Sequence, residues 1–127
     1  MAEPRFLLDA NCCIYLIEKF SRPLRDRAEH YAPGELVTSA IAYAEVARGT
    51  DWSNGQAAGL VDDFFEAIAV LPFDQAAGRT YAALPFVRHR FDRLIAAHAL
   101  GLDLTLVTAN TRDFCDIPGL KVEDWTR

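Results

Sequence analysis

Residues 6–18 read FLLDANCCIYLIE, three apolar residues followed by an aspartate and then by apolar residues three and four apart. The run at 6–8 predicts a short buried strand, and the later spacing predicts a helix over 11–18. Asp9 stands between the two elements. A strand that passes directly into a helix is the repeating unit of folds with a parallel sheet.

The same alternation continues along the rest of the chain. It predicts strands at 36–38, 68–71, 104–107 and 120–122, and helices at 21–30, 40–48, 57–67, 75–84 and 92–100. Ser39 and Asp74 are predicted helix caps, and Gly49 is predicted to be the left-handed residue that ends a helix. The pattern indicates an α/β fold with a mostly parallel central sheet of four or five strands flanked by helices, formed by a single domain over 1–127.

The composition is that of an ordinary globular domain, with 127 residues of which 51% are hydrophobic and 24% charged. The chain has no apolar run near the ~18 residues that a membrane-spanning helix needs. Its first residues, MAEPR, lack the basic and then apolar pattern of a signal peptide. We therefore expect a cytoplasmic protein with no membrane partner.

The net charge of −5 has the wrong sign for a protein that binds nucleic acid through a broadly basic surface. A polyanionic ligand would need a local basic rim or bound metal ions. The three cysteines and three histidines show no spacing typical of a zinc site. Any metal chemistry is therefore expected to use oxygen ligands.

Three acidic residues are candidates for such chemistry, because ligands of parallel α/β folds bind beyond the carboxyl ends of the strands. Asp9 follows the first strand, Glu45 lies in the helix after the second, and Asp92 opens an apolar helix before the fourth. Each has an ordinary alternative role. Asp9 is suited to capping a helix, Asp92 to favouring a helix dipole, and Glu45 to pairing with Arg48.

Considered together, these carboxylates predict a cation site. Acidic groups that converge at one sheet edge repel one another unless cations lie between them, and oxygen ligands favour Mg²⁺ or Mn²⁺. Carboxylate-bound Mg²⁺ acts on phosphates, which indicates metal-dependent hydrolysis of a phosphodiester. One alternative is an aspartate-dependent phosphatase using Asp9, which would need Lys19 or Lys121 near the phosphate. Another is a module that binds RNA or a partner with little or no catalysis.

Five blocks of sequence carry a resemblance to a known family. They are LLDANCCIYL at 7–16, SAIAYAEVARG at 39–49, DRLIAAHA at 92–99, LVTANTRDF at 106–114 and PGLKVEDW at 118–125. In this order they resemble the PIN-domain ribonucleases, and within them the VapC-type toxins of bacterial toxin–antitoxin pairs. The resemblance implies a Mg²⁺-dependent endoribonuclease toxin, with Mn²⁺ as a substitute ion, RNA as substrate, a VapB-like antitoxin as partner and a homodimer.

The resemblance also implies roles for individual residues. The metal-binding and catalytic acids that it implies are Asp9, Glu45 and Asp92. The fourth polar position of the family falls on Asn110 or Asp113, since Asn110 stands where many relatives have an aspartate. We expect Asn11 and Thr108 to support the site. The number of metal ions, one or two, is left open.

Three further expectations concern residues outside the acidic set. Arg88, Arg90 and Arg93 are basic residues around Asp92, and we hypothesise that they hold the RNA backbone. His98 lies in an apolar helix and is predicted to be a packed core histidine rather than a catalytic one. The apolar stretches at 15–17 and 61–68 are candidates for an antitoxin groove or a dimer face.

Overall fold

The computed structural model describes residues 2–85 and 90–127, with Arg90 described by its backbone alone. The elements in these residues are β1 (Phe6–Leu8), α1 (Ala10–Glu18), α2 (Arg22–Ala28), β2 (Leu36–Ser39), α3 (Ala40–Arg48), α4 (Gly55–Ala67), β3 (Ala69–Leu71), α5 (Gln75–Ala82), α6 (Arg90–Gly101), β4 (Thr105–Val107), a 3₁₀ helix (Thr111–Phe114) and β5 (Val122–Glu123). The predicted alternation of strands and helices is confirmed. None of the helices described is both long enough and apolar enough to cross a membrane.

The sheet has five parallel strands in the order β3-β2-β1-β4-β5. The predicted fold class is therefore confirmed. The chain begins at the centre of the sheet, builds outward through β2 and β3, and then returns to the other side of β1 for β4 and β5. This reversal of direction leaves a crevice at the carboxyl ends of β1 and β4, which is where such sheets bind ligands.

Buried side chains on both faces of the central strands form the core. Leu7, Leu8, Leu106 and Val107 are fully buried in β1 and β4, as expected for strands that helices cover on both sides. The side of α6 that packs inward consists largely of alanine, which allows this helix to approach the sheet closely. The core residues that α1 and α6 contribute are Ala10, Cys12, Cys13, Ile95, Ala96 and Ala99.

His98 is also part of this interior. It is 2% exposed, its Nδ1 lies 2.8 Å from Oγ of Ser39, and its ring meets that of Phe73 edge-on at 5.4 Å. Burial lowers the pKa of the imidazole, which favours the uncharged ring. The prediction of a packed core histidine is confirmed.

Side-chain caps begin the helices at the points where strands or loops end. Ser39 Oγ accepts a hydrogen bond from the N–H of Ile41, and Asp74 Oδ1 accepts one from Ala77, so both predicted caps are confirmed. The prediction for Gly49 is wrong, because its φ is −87° and its ψ is 2°. Its N–H donates to carbonyls of the last helical turn, which closes α3 without a left-handed residue.

The last strand lies further along the chain than the sequence predicted. The expected strand at 120–122 is found at Val122–Glu123, where Val122 pairs with Leu106 and Glu123 with Val107. A turn with Gly119 at φ 80° precedes it, a backbone conformation that glycine adopts without strain. This shift makes Asp124 the first residue after the strand.

Candidate active site

Asp9 lies at the reversal point of the sheet. It follows Leu8, which pairs with Val107 of β4, and its N–H continues the ladder by donating to the Val107 carbonyl at 3.0 Å. Its side chain is 5% exposed, and Oδ1 accepts a hydrogen bond from the N–H of Cys12 at 2.8 Å, capping α1. Thr108 provides a second, side-chain hydrogen bond to the carboxyl group. The capping role and a ligand role are compatible, since Oδ2 makes no part of the cap.

Glu45 and Asp92 reach the same region from two other helices. Glu45 lies on α3, which contacts both α1 and α6, and Asp92 is in the first turn of α6. The negative charges of Asp92 and Asp9 both act on the Glu45 carboxyl. The other two predicted acids, Asp9 and Asp92, are therefore close enough to Glu45 for their charges to act on its carboxyl group.

Ionisation of these acids is opposed by their surroundings. Burial is the main factor that raises the pKa of Asp9, and the hydrogen bonds from Thr108 and Cys12 offset it in part. The pKa of Glu45 is also raised, first by burial and then by the charges of Asp92 and Asp9. A divalent cation among them would reverse this balance, because it favours the charged form of each carboxyl group.

The donor set is suited to a hard cation such as Mg²⁺. Oε1 of Glu45 is buried and has no hydrogen-bond partner among the described residues, so it is available as a ligand. Within residues 2–85 and 90–127, no three His, Cys, Asp or Glu side chains are already arranged as a metal cage. Mg²⁺ does not need one, since it keeps several waters and binds through one or two carboxylates.

The remaining predicted polar residues differ in their placement. Thr108 is fully buried and contacts Asp9, as a supporting residue should, whereas Asn11 is exposed on the first turn of α1. Asn110 and Asp113 are both exposed, and Asn110 donates its N–H to Oγ1 of Thr108 at 3.1 Å. In the described part of the chain, the carboxylates that act on Asp9 and Glu45 do not include Asp113.

A carboxylate that the sequence analysis did not consider does act on Asp9. Asp124 follows β5 directly, and its charge contributes to the raised pKa of Asp9. The rule that singled out residues after strands would have found it. The strand is predicted to end at 122, however, so that rule does not reach Asp124.

Arg93 does not have the position expected of an RNA-binding residue. It is 3% exposed, and Nη2 lies 2.9 Å from both carboxylate oxygens of Asp116. Because the guanidinium is buried and held by the protein, we correct its role from RNA contact to structural ion pairing. Arg88 lies outside the described residues, and the side chain of Arg90 is likewise not described.

The placement of the two lysines does not favour the phosphatase alternative. Lys19 ends α1, the opposite end of that helix from its cap Asp9. Lys121 is exposed and pairs with Asp103 at 3.3 Å. An aspartate phosphatase needs a lysine beside the phosphate that its nucleophile attacks, and neither residue is placed to provide it.

An apolar cavity lies elsewhere in the described part of the molecule. It measures about 530 Å³ and is lined by residues near the amino ends of β2 and β3, among them Tyr31, Leu36 and Ala69. This is the opposite edge of the sheet from Asp9. Its lining is mostly apolar and contains none of the three predicted acids, so the candidate site is the carboxylate crevice.

Comparison with known proteins agrees with the fold and the sequence blocks. The family model for the PIN domain matches residues 6–120. The tRNA(fMet)-specific endonuclease VapC of Shigella flexneri is 31% identical over 131 residues, covering 96% of this chain and 98% of the relative. The protein of the same name from Salmonella typhimurium is 32% identical, covering 95% of this chain and 98% of the relative.

Solved structures show the same relationship in three dimensions. The VapBC2 complex of Rickettsia felis, bound to a DNA fragment from its promoter, contains a chain with a TM-score of 0.84 and 28% identity, covering 94% of this chain and 98% of that one. DNA-bound VapBC of Salmonella typhimurium gives a TM-score of 0.83 and 30% identity, covering 96% and 98%. This chain therefore belongs to the PIN-domain family, and within it to the VapC-type proteins.

Proposed function

We propose that this protein is a Mg²⁺-dependent endoribonuclease that acts as the toxin of a toxin–antitoxin pair. The observation that carries the proposal is that Asp9 follows β1, where the sheet reverses direction, and that its charge and the charge of Asp92 both act on the carboxyl group of Glu45. The relatives named as VapC ribonucleases support the same activity. Mn²⁺ is expected to substitute for Mg²⁺, since both are hard ions with a preference for oxygen ligands.

The residues have distinct roles in this proposal. Asp9 and Asp92 would bind the cation directly, while Glu45 would bind it or orient the attacking water through Oε1, which has no hydrogen-bond partner among the residues that the structure describes. Thr108 holds Asp9 by a side-chain hydrogen bond and fixes the direction of its carboxylate. A bound Mg²⁺ would supply Lewis-acid stabilisation of the charge that develops on the phosphate oxygens. Attack of water on phosphorus would leave 5′-phosphate and 3′-hydroxyl ends.

The cation also accounts for how an acidic protein can take RNA. The chain carries a net charge of −5, and its crevice is lined by carboxylates that would repel a phosphate. Divalent ions reverse the local sign of charge at such a site. Two relatives are named as specific for tRNA(fMet), so the initiator tRNA is the first substrate to test.

A protein partner is the second part of the proposal. Several similar structures are VapBC complexes, so we propose a VapB-like antitoxin for this chain. A shallow groove of about 90 Å³ lies between α1, α3 and α4, and Ile14, Ile17 and Val61 line it. Phe20, which lies just beyond α1, is 72% exposed, and Leu60, which lies on α4, is 51% exposed. An apolar helix of the partner would cover such a surface. The homodimer implied by the sequence resemblance stays a prediction.

Cleavage of defined RNAs by the purified protein tests the activity. Initiator tRNA, elongator methionine tRNA and an unstructured RNA are incubated with the protein in Mg²⁺, in Mn²⁺ and in EDTA. The expected result is discrete cleavage in both metals and none in EDTA, with activity restored when excess Mg²⁺ is added back. Equal cleavage in EDTA and in Mg²⁺ would contradict the proposed metal chemistry.

The partner is tested by co-expression with the protein encoded by the neighbouring open reading frame. We expect a stable complex on size-exclusion chromatography and loss of RNA cleavage in that complex. Leu60→Asp is expected to weaken the complex without reducing cleavage by the free protein, because Leu60 is exposed on α4. If Leu60→Asp abolishes RNA cleavage by the free protein, the role of Leu60 is not confined to binding the partner.

A further inference from the structure

The segment that follows β5 is firmly attached to the rest of the molecule. Trp125 is 3% exposed and packs against Phe6 and Tyr31, with ring centroids 4.9 and 5.4 Å away. Its Nε1 donates to Oε1 of Glu123 at 2.9 Å, and the same oxygen accepts from Nη2 of Arg27 at 3.3 Å. Both neighbours of Asp124 are therefore held in place.

Register places Asp124 in one row with Asp9 and Thr108. Leu8 pairs with Val107, and Val107 pairs with Glu123, so the next residue of each strand lies at the carboxyl edge of the sheet. The ladder continues there, since the N–H of Thr108 donates to the carbonyl of Glu123 at 3.0 Å. Thr108 stands between the two acids and hydrogen-bonds to Asp9.

The carboxylate of Asp124 is oriented by local hydrogen bonds. Oδ1 accepts from the N–H of Thr126 at 2.8 Å and from its hydroxyl, and Oδ2 accepts from Nε of Arg127 at 3.3 Å. The Asp124 side chain is 14% exposed, whereas that of Arg127 is 88% exposed. An exposed ion pair of this kind is weak, so a divalent cation can displace Arg127 from Oδ2 at little cost.

We propose that Asp124 is the fourth carboxylate of the cation site, in the position that the sequence resemblance assigned to Asn110 or Asp113. This inference rests on the proposed function. It is supported by the row that the strand register forms from Asp9, Thr108 and Asp124, by the hydrogen bonds that orient the Asp124 carboxylate, and by the exposure of Asp113. Asp124 would hold the cation, or a water bound to it, from the β4–β5 side of the crevice.

The test measures Mn²⁺ affinity of the purified protein by titration calorimetry, with free Mn²⁺ followed by electron paramagnetic resonance. Asp124→Asn keeps an oxygen acceptor for the Thr126 N–H but removes the charge. We expect it to weaken Mn²⁺ binding by about 10–100-fold, the usual effect of altering a residue that holds or orients a metal ligand. Asp124→Glu, which restores the charge, should recover most of the affinity.

Two other variants separate this role from its alternatives. Asp63→Asn, on an exposed part of α4, is the matched control for removal of one negative charge and should leave affinity within about twofold. Asp113→Asn tests the competing assignment and should behave like the control. Unchanged affinity in Asp124→Asn together with weakened affinity in Asp113→Asn would overturn the inference.

Failure of the inference can be told apart from failure of the proposed function. If Asp9→Asn abolishes Mn²⁺ binding and Asp124→Asn does not change it, the cation site stands and the role of Asp124 is refuted. If the wild-type protein does not bind Mn²⁺, both the role of Asp124 and the proposed function are refuted. Thermal unfolding without metal identifies any variant that is misfolded, and Asp124→Ser, which also retains an acceptor for Thr126, then takes the place of Asp124→Asn.

Discussion

Nη2 of Arg93 lies 2.9 Å from both carboxylate oxygens of Asp116, joining α6 to the segment that follows the 3₁₀ helix. The Arg93 side chain is 4% exposed and that of Asp116 is 33% exposed, so the pair is largely shielded from water. Arg93 is also the residue next to Asp92. The ion pair therefore fixes the first turn of the helix that carries a predicted metal ligand.

Removing the acid of this pair should destabilise the fold. Asp116→Ala removes the carboxylate that Nη2 of the buried Arg93 guanidinium contacts, and we expect the free energy of unfolding to fall by about 1–3 kcal/mol. Urea unfolding at neutral pH measures it. Asp113→Ala, an exposed aspartate three residues earlier, should change stability by less than about 0.5 kcal/mol. Equal effects of the two substitutions would show that the ion pair contributes nothing specific.

Removing a site carboxylate should instead stabilise the metal-free protein. Asparagine caps a helix as well as aspartate does, so Asp9→Asn keeps the bond to the Cys12 N–H and removes a buried charge. We expect the thermal midpoint at pH 7.5 in EDTA to rise by about 3–6 °C, the shift that about 1 kcal/mol produces in a domain of this size.

The pH dependence of that gain follows from the sign of the shift. The pKa of Asp9 is raised in the folded protein, so its ionisation costs stability as pH rises through the folded pKa. Below the unfolded value of 3.8 both states are protonated. The stabilisation by Asp9→Asn should therefore disappear toward pH 3.5. A gain that is the same at pH 7.5 and pH 3.5 would show that charge is not its cause.

Bound Mg²⁺ should make the wild-type protein more stable than a variant that lacks a site carboxylate. Ligands that bind only the folded state stabilise it by about 2.7 kcal/mol at a concentration 100 times their Kd. We expect Mg²⁺ to raise the thermal midpoint of the wild-type protein, and to have a much smaller effect on Glu45→Gln, which keeps the size of the side chain but loses its charge. An equal Mg²⁺ shift in the two proteins would remove Glu45 from the cation site.

His98 gives a separate dependence on pH. Burial lowers its pKa in the folded state from the usual 6.5, so below about pH 6.5 the unfolded chain binds a proton that the folded protein does not. Stability should then fall as the solution is acidified, by at most about 1.4 kcal/mol per pH unit. We expect the difference in unfolding free energy between wild type and His98→Gln to shrink between pH 7.5 and 5.5. Parallel curves would contradict a neutral buried imidazole.

The sequence was informative where one residue type has a single structural use. An apolar run ended by Asp9 predicted the central strand and the cap of α1, and the alanines after Asp92 predicted a helix against the core. Residues that can serve two purposes were predicted less well. Gly49 can close a helix with or without a left-handed backbone, and the hydrogen bonds of the last turn of α3 selected the second conformation.

Errors in the candidate site had a different origin, because they depended on tertiary contacts. A basic residue beside Asp92 was expected to face RNA, but helix rotation places Arg93 inward against Asp116. The strand β5 has only two residues, so its sequence pattern is too weak to predict where it ends. The observed end lies one residue beyond the predicted end, which is why Asp124 was not predicted to follow the strand. The register of β5 is set by its pairing with β4, and no local sequence pattern predicts that pairing.

The proposed metal site is tested most sharply by comparing RNA cleavage by wild-type protein and Asp9→Asn in Mg²⁺, at equal concentrations of folded protein. We expect the fold and the cap of α1 to be preserved in the variant, since asparagine also caps helices, so a loss of activity reports on the site alone. We expect no detectable cleavage by Asp9→Asn, and wild-type products with 5′-phosphate and 3′-hydroxyl ends. Cleavage by the variant at a rate near that of the wild type would contradict it.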